Sequence, residues 1–284
     1  MRGTRVILGA MFTIAIAQTE PSFLDVPENH ARAMELIRSV RADLYLFPEL
    51  YLSGYAFSTR QEVERCGLGQ ENPYFEELSA LSRERGIAIC GGYAEKAPGD
   101  NGTFYNSAFL IGDGALLANY RKTHLFYREH DFFAPGDTGF IVTEYRGVRL
   151  GLMVCFDWIY PESARTLALR GAQVILHPSN LVLPYCQRAM FARAVENRVF
   201  VATANRVGRE DNAFGDDLTF TGGSQVVTPE GTYVLTFDEE ETGIRAVTVD
   251  PAEADGKQLN AYDTILHDLR PEMYTTQSSV HRSG

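Results

Sequence analysis

Several protein classes are excluded by what the chain has little of. Its 284 residues include only four cysteines, at positions 66, 90, 155 and 186, and no two of them form a C-x-x-C pair. This spacing predicts neither a disulfide framework nor a zinc knuckle, so a reducing cytoplasm is the expected compartment. The six histidines have no metal-ligand spacing, and no glycine-rich phosphate loop follows a strand. We therefore expect no metal ion, nucleotide or other cofactor.

Positive charge is also scarce. Lys and Arg number 26 against 37 Asp and Glu, which gives a formal net charge of −11. So acidic a chain argues against binding to nucleic acid or to an anionic membrane surface, because both would repel it. No apolar run approaches the roughly 20 residues that a transmembrane helix needs.

The first residues imitate a targeting signal. Arg2 and Arg5 precede an apolar run, and Ala15-Ile-Ala17 resembles a cleavage site. Residues 12–18, however, have the composition of a β-strand, and cleavage would remove what we interpret as a central strand. We therefore predict a strand here, with Met11 as an alternative start and residues 1–10 as an N-terminal extension.

Hydrophobic patterning predicts a strand–helix–strand–helix–strand series, then two hairpins, then a second such series. Strands are predicted at 12–18, 43–47, 87–93, 105–111, 115–121, 140–145, 148–155, 174–180, 199–205, 222–228, 233–237 and 244–249. Proline suits a first helical turn, so helices are predicted to begin at Pro27, Pro73, Pro161 and Pro184. Segments 50–70, 122–136 and 208–219 are predicted as loops, the last one flexible.

The two series look like copies of one unit, each with parallel strands covered by helices on one side. Two sheets packed face to face with helices outside, a four-layer α-β-β-α sandwich, satisfy this pattern. A (β/α)8 barrel is the alternative, although the hairpins count against it.

Three predicted strands end at a reactive residue: Glu49, Lys122 and Cys155. Cys155 lies where a buried strand meets a helix start, a position that can lower a thiol pKa. Taken alone, Cys155 is better explained as a core thiol. Strand ends on one edge of a layered fold can converge, however, and would then join a base, a fixed positive charge and a nucleophile. This set suits attack on a carbon bonded to a heteroatom by a double or triple bond.

The segments around these residues resemble the three signature blocks of the nitrilase superfamily of carbon–nitrogen hydrolases. They are Leu46-Phe-Pro-Glu-Leu50, Tyr120-Arg-Lys-Thr-His-Leu-Phe126 and Val154-Cys-Phe-Asp-Trp-Ile-Tyr-Pro-Glu162. The resemblance covers roughly residues 12 to 250 and includes His177-Pro-Ser-Asn180 and Glu196-Asn-Arg198. It implies the α-β-β-α sandwich, a Glu-Lys-Cys triad and a homodimer or larger homo-oligomer.

The resemblance also implies a role for each residue. Cys155 becomes the nucleophile, Glu49 the general base, and Lys122 the group that stabilises developing negative charge together with the backbone N–H of Phe156. Glu129 resembles the second glutamate of the family, which we interpret as orienting Lys122 and the substrate. Without the resemblance, Glu129 would be interpreted as a solvated loop carboxylate.

Further side chains on the same loops could line a substrate pocket, although each could equally serve packing between layers. These are Tyr55, Tyr127, Trp158 and Asn180. His124 and His177 are better explained as hydrogen-bonded structural residues than as partners in a Cys-His dyad. Cys90 is interpreted as a core residue, and Cys66 and Cys186 are assigned no role.

The expected activity is hydrolysis of a non-peptide C–N bond in a small amide, with a nitrile or an N-carbamoyl amide as alternative substrates. Phe156-Asp-Trp158, just after the nucleophile, looks most like family members acting on small aliphatic amides or nitriles. A non-catalytic binding subunit and an acyltransferase are more remote alternatives. Residues 11–255 are predicted to form the hydrolase domain, and 256–284 a C-terminal tail interpreted as wrapping on a partner subunit.

Overall fold

A computed structural model describes residues 11–99 and 102–274 of the chain. The predicted N-terminal extension, residues 1–10, lies outside this range. The described strands are β1 Phe12–Gln18, β2 Leu44–Leu46, β3 Ala88–Lys96, β4 Phe104–Gly112, β5 Ala115–Arg121, β6 Ile141–Tyr145, β7 Val148–Leu152, β8 Val174–Pro178, β9 Phe200–Ala204, β10 Arg209–Asp211, β11 Asp217–Thr219, β12 Gln225–Val227, β13 Tyr233–Thr236 and β14 Gly243–Val249. The described α-helices are α1 Val26–Ser39, α2 Arg60–Cys66, α3 Pro73–Arg85, α4 Glu129–Phe132, α5 Pro161–Leu169 and α6 Cys186–Asn197.

The strands form two six-stranded mixed sheets and one small two-stranded sheet. The first sheet has the order β14-β1-β2-β3-β4-β5, and the second has the order β13-β12-β9-β8-β7-β6. In each sheet the central strands are parallel, β1 to β3 in one and β7 to β9 in the other. Two open sheets with helices outside confirm the four-layer α-β-β-α sandwich and rule out the barrel.

Alternation along β1 shows how the layers pack. Ile14 and Ile16 belong to a buried cluster that also contains Leu152 of the second sheet. Ala15 and Ala17, which point the other way, share a second cluster with helix α1. Because successive strand side chains face opposite sides, one strand supplies both the inter-sheet core and the helix-facing layer.

Helix α3 begins at Pro73, as predicted, and residues on either side of it cap its two ends. The side chain of Asn72 accepts a hydrogen bond from the backbone N–H of Phe75 at 3.0 Å, which caps the helix N-terminus. Gly86 ends the helix in the left-handed conformation, with φ of 60°.

Three predicted loops contain regular structure, and those predictions were wrong in this respect. Segment 50–70 includes α2, which begins at a capping box formed by Thr59 and Glu62. Segment 122–136 includes the single-turn helix α4. Segment 208–219 is a hairpin of β10 and β11, whose turn is closed by Asn212 Oδ1 accepting the N–H groups of Phe214 and Asp216.

The C-terminal tail begins by packing on its own chain. Lys257 Nζ donates hydrogen bonds to the carbonyl oxygens of Asn197 and Arg198, at 3.0 and 2.6 Å, at the C-terminal end of α6. Residues 275–284 of the predicted tail lie outside the described range. In the part of the chain that the structure describes, no helix has the length and apolar composition needed to cross a membrane.

Candidate active site

The predicted reactive residues follow strands that run in the same direction. Glu49 comes after β2, and Lys122 comes directly after β5. β5 runs parallel to β2 because two antiparallel pairings, β3 with β4 and β4 with β5, separate them. Cys155 follows β7 of the second sheet. Although the two sheets are separate, Cys155 lies close enough to Glu49 and Lys122 for the charges of both to act on its thiol.

Two glycines allow neighbouring backbone segments to pack closely against Glu49 and Lys122. A Cβ on Gly92 would lie 2.5 Å from the Cα of Glu49, so only glycine lets β3 pass this close. A Cβ on Gly136 would lie 2.0 Å from the carbonyl oxygen of Arg121. Gly136 instead donates its N–H to the carbonyl oxygen of Lys122 at 2.9 Å, which ties the returning loop to this residue.

Lys122 lies between two carboxylates in the interior. Its Nζ donates to Oε1 of Glu49 and to Oε1 of Glu129, each at 2.7 Å. The side chains of Lys122 and Glu49 are fully buried, and that of Glu129 is nearly so. The structure therefore brings Glu129 against Lys122, which contradicts the alternative of a solvated loop carboxylate.

Two neutral side chains complete this cluster. Asn106, on β4, donates its Nδ2 to Oε1 of Glu49 at 2.7 Å and to Oε2 of Glu129 at 3.3 Å. The hydroxyl of Tyr55 donates to Oε1 of Glu129 at 2.8 Å. Oε2 of Glu49 is buried and has no hydrogen-bond partner, so it is available to accept a proton.

Burial and charge act in opposite directions in this cluster. Burial lowers the pKa of Lys122, but the adjacent carboxylates of Glu129 and Glu49 outweigh it and raise that pKa above its ordinary value. Lys122 thus stays cationic. Burial raises the pKa of Glu49, and Lys122 offsets this only in part. Glu49 is consequently a stronger base than a solvated carboxylate.

Cys155 begins a 3-10 helix, Cys155–Ile159, with strained backbone geometry. Its φ is 40°, in the left-handed region that residues with a Cβ rarely adopt. Asp157 stabilises the turn from inside: its fully buried carboxylate accepts bonds from the N–H of Val154 at 2.9 Å, the hydroxyl of Tyr120 at 2.7 Å and Nδ1 of His124 at 2.8 Å. His124 is therefore a structural residue, as predicted.

The Cys155 thiol is held in its protonated form. Burial and the nearby Glu49 carboxylate raise its pKa well above the ordinary value, and Lys122 counteracts them only in part. The lowering that a helix start can produce is therefore not seen here, because burial has the largest effect on this thiol. Sγ donates to the backbone oxygen of Asn180 at 3.7 Å. The thiol therefore requires a base to become nucleophilic.

His177 binds the backbone of the cysteine and not its sulfur. Its Nε2 donates to the carbonyl oxygen of Cys155 at 2.9 Å, and its Nδ1 lies 3.1 Å from the hydroxyl of Thr203. Burial lowers the pKa of His177 to about 4, so the ring is neutral at pH 7. This supports the predicted structural role over a Cys-His dyad.

Cys155 opens onto a small cavity with about 220 Å³ of empty space. Its lining is mostly apolar, and Phe156, Trp158 and Asn180 of the predicted pocket residues contribute to it. Asn180 is only 2% exposed, yet neither its Oδ1 nor its Nδ2 has a hydrogen-bond partner. A buried amide without partners is costly, so these two atoms are ready to bind a polar ligand.

Tyr55 and Tyr127 line a different cavity, of about 300 Å³, next to Glu129 and under the β10–β11 hairpin. Tyr127 is half exposed and donates its hydroxyl to Asp216 at 2.8 Å, so it lies outside the cavity of Cys155. Cys66, Cys90 and Cys186 are buried thiols away from both cavities.

Sequence reasoning missed Asn106 and the hydrogen-bonding role of Asp157. Asn106 stands in a mostly apolar strand, and a buried amide there is an available signal, because polar groups in a core need partners. Asp157 was noted only as a neighbour of the cysteine. Its partners Tyr120 and His124 lie more than 30 residues away in the chain.

Comparisons with known proteins identify the family. The model of the family described as Carbon-nitrogen hydrolase matches residues 13–256. A nitrilase of Pyrococcus abyssi (strain GE5 / Orsay) is 41% identical over 270 residues, covering 93% of this chain and 99% of the relative. An (R)-stereoselective amidase of Pseudomonas sp. is 35% identical over 269 residues, covering 92% of each.

A solved structure is similar over nearly its whole length. It is the amidase from Nesterenkonia sp. AN1, in a Glu-to-Gln mutant showing covalent addition of the acetamide moiety of fluoroacetamide at the active site cysteine. The match has a TM-score of 0.72 and 29% identity, and covers 95% of this chain and 98% of that one. The chain therefore belongs to the carbon–nitrogen hydrolase family of the nitrilase superfamily and is an enzyme of that type.

Proposed function

We propose that the protein hydrolyses a small amide to a carboxylate and ammonia, with Cys155 as nucleophile, Glu49 as general base and Lys122 as the stabilising cation. One observation carries the proposal. A fully buried lysine bridges two glutamates and leaves Oε2 of Glu49 without a partner, and the charges of Glu49 and Lys122 both act on the Cys155 thiol. A fixed cation and a free base atom beside a protonated thiol are what nucleophilic attack on a carbonyl requires.

The first half-reaction acylates the enzyme. Glu49 takes the proton of the Cys155 thiol while sulfur attacks the carbonyl carbon, and negative charge develops on the substrate oxygen. Lys122 and the backbone N–H of Phe156 stabilise this oxyanion. Glu49 then gives its proton to the departing nitrogen, the C–N bond breaks, and ammonia leaves behind a thioester.

The second half-reaction releases the product. Glu49 takes a proton from water, and the hydroxide formed attacks the thioester carbon. Collapse of the intermediate breaks the C–S bond, the proton returns to sulfur, and a carboxylic acid leaves. In both halves Glu129 keeps the ammonium of Lys122 in place from the side opposite Glu49 and orients the substrate.

The cavity indicates the kind of substrate. Phe126, Phe156, Trp158 and Leu181 form part of a wall that contains no charged side chain among the described lining residues. A charged substituent would lose its hydration there without a counter-ion. We therefore favour a small uncharged amide, whose polar atoms bind Asn180, over an N-carbamoyl compound that carries a free amine or carboxylate.

A nitrile is the second candidate substrate, and the 41% identical relative named as a nitrilase favours it. Attack on a nitrile would give a thioimidate, and a first water would convert it to the thioester with loss of ammonia. The same residues would act in both cases.

Ammonia release from a panel of uncharged amides, nitriles and N-carbamoyl compounds tests the proposal. We expect turnover of small uncharged amides, no turnover by Cys155→Ala, and nearly unchanged turnover by the matched variant Cys90→Ala. Activity of Cys155→Ala at the wild-type rate would contradict the mechanism. Preference for charged N-carbamoyl compounds would contradict the substrate assignment alone.

We also propose that the enzyme works in the cytoplasm as a homo-oligomer. Four free cysteines fit a reducing compartment. The exposed rings of Phe191, on α6, and Tyr233, on β13, stack with their centroids 6.2 Å apart and supply an apolar face for a second copy. Light scattering of wild type and of Phe191→Glu tests this, because a shift from dimer to monomer is expected only if this face is the interface.

A further inference from the structure

The β10–β11 hairpin places a carboxylate inside the protein, against the loop that carries Tyr55. Glu210, on β10, is only 8% exposed. Its Oε2 accepts the backbone N–H groups of Tyr55 and Ala56, both at 2.8 Å. Two consecutive N–H groups on one charged oxygen define the backbone position there, because charge-assisted bonds are stronger than neutral ones.

The other oxygen of this carboxylate is held by a buried arginine. Nη1 of Arg206 lies 2.5 Å from Oε1 of Glu210, and Arg206 is only 1% exposed. The guanidinium stacks 3.9 Å from the centre of the Phe220 ring. Loss of either partner would leave the other charge buried without a counter-ion and would destabilise the protein. Each residue of the pair therefore depends on the other.

This pair is connected to the proposed catalytic groups through one side chain. The Tyr55 hydroxyl donates to Oε1 of Glu129, the same oxygen that accepts from Lys122. The Tyr55 ring also meets Phe220 edge-on, at 6.0 Å between centroids. Glu210 thus fixes the backbone of Tyr55. The Phe220 ring, which stacks on Arg206, packs against the side chain of Tyr55.

Gly54 shows how closely the two segments approach. A Cβ at this position would lie 2.8 Å from Oε1 of Glu210, and the φ of 79° is unfavourable for other residues. Glycine therefore allows the carboxylate to reach the two N–H groups that follow.

We propose that Glu210, held by Arg206, is a positioning residue that places the Tyr55 hydroxyl on Glu129 and thereby sets the position of Lys122 during catalysis. This rests on the proposed function of Lys122 and Cys155. Glu210 contacts no reacting atom, so its effect passes through Tyr55. Displacement of a catalytic group by about 1 Å can cost up to about a hundred-fold in rate.

A double-mutant cycle separates this role from a general effect on folding. Glu210→Gln keeps the size of the side chain but loses the charge, and Tyr55→Phe removes only the hydroxyl. We expect each single variant to lower kcat about ten-fold with little change in KM. The double variant is expected to be no slower than the slower single variant, because both changes break the same connection.

Asp217→Asn is the matched control. Asp217 lies on the same hairpin, but it pairs with Arg209 on the exposed surface, so kcat should stay at the wild-type value. Circular dichroism and Tm identify any variant that fails to fold. If Glu210→Gln is unfolded, Arg206→Lys takes its place in the cycle, with a smaller loss of kcat expected in the same direction.

Two outcomes would overturn the proposal: wild-type kcat in a folded Glu210→Gln, or effects that multiply in the double variant. Neither outcome bears on the proposed function, which fails instead if Cys155→Ala or Lys122→Met turns over the same amide at the wild-type rate. The wild type and these two variants are therefore assayed in the same series.

Discussion

The two sheets contribute unequal halves of the candidate site. From the first sheet come Glu49, Lys122 and Asn106, which bind one another, whereas the second sheet supplies Cys155 and Asn180. In the first group the side chains of Lys122 and Asn106 both donate to the carboxylate of Glu49, and one oxygen each of Glu49 and Asn106 has no partner, whereas neither amide atom of Asn180 has a partner. The comparison indicates that the charges are organised before substrate arrives and that the thiol side is left for the substrate to complete.

Among substitutions in the group from the first sheet, removal of the Lys122 ammonium should lower activity the most. In Lys122→Met the two carboxylates lose their shared partner, and the oxyanion loses its stabilising charge. We expect kcat/KM to fall by about 10² to 10³-fold, which is typical for loss of one oxyanion donor. Steady-state kinetics measure kcat/KM, and far-UV circular dichroism checks that the variant is still folded. Wild-type activity in a folded variant would contradict the role of Lys122.

Replacing an asparagine with leucine in each half of the site tests directly whether the two halves differ. Asn106→Leu removes hydrogen bonds to two buried carboxylates, so we expect the free energy of unfolding to fall by about 1.5–3 kcal/mol. Activity should fall about ten-fold or more with it, because Glu49 and Glu129 lose a shared donor. Urea unfolding and ammonia release measure the two quantities on one preparation.

Asn180→Leu should separate stability from activity. It replaces two buried polar atoms that have no partner, so the free energy of unfolding should be unchanged or higher. KM for a small amide should rise about ten-fold, since the amide atoms that bind the substrate are gone. If Asn180→Leu were as destabilised as Asn106→Leu, the two halves would not differ as described.

The pH profile should show a smaller effect. Catalysis requires Glu49 unprotonated, and burial raises its pKa. As pH falls through this raised pKa, Glu49 gains a proton and kcat/KM should decrease. The acid limb should therefore lie above the pH where a solvated glutamate titrates, near 4.3. A limb at or below that value would mean that Lys122 outweighs burial.

What could be predicted from the sequence follows the same division. Glu49, Lys122 and Cys155 could be proposed from the sequence because each follows a predicted strand and lies in a recognisable block. Asn106 was not, because its partners lie 57 and 23 residues away and its own strand reads as core. Local patterning describes a strand and its end, but it carries no information on which distant side chains meet a buried amide.

Two of the three wrong loop predictions have local causes. α4 has four residues and no side-chain cap, so it leaves no periodic pattern. The β10–β11 hairpin has three-residue strands and a polar turn, which looks like a loop until Glu210 is seen to point inward. Both elements nevertheless bear on the candidate site, because α4 begins at Glu129 and Glu210 of the hairpin accepts the backbone N–H of Tyr55.

Mass spectrometry of the acyl-enzyme tests the central claim most directly. Wild-type protein is mixed with a small uncharged amide, quenched in acid within the first turnovers and digested. The account predicts the mass of the acyl group on the peptide that contains Cys155, and an unmodified peptide for Cys90. An adduct on Cys90, or rapid ammonia release with no adduct on Cys155 at any quench time, would contradict it.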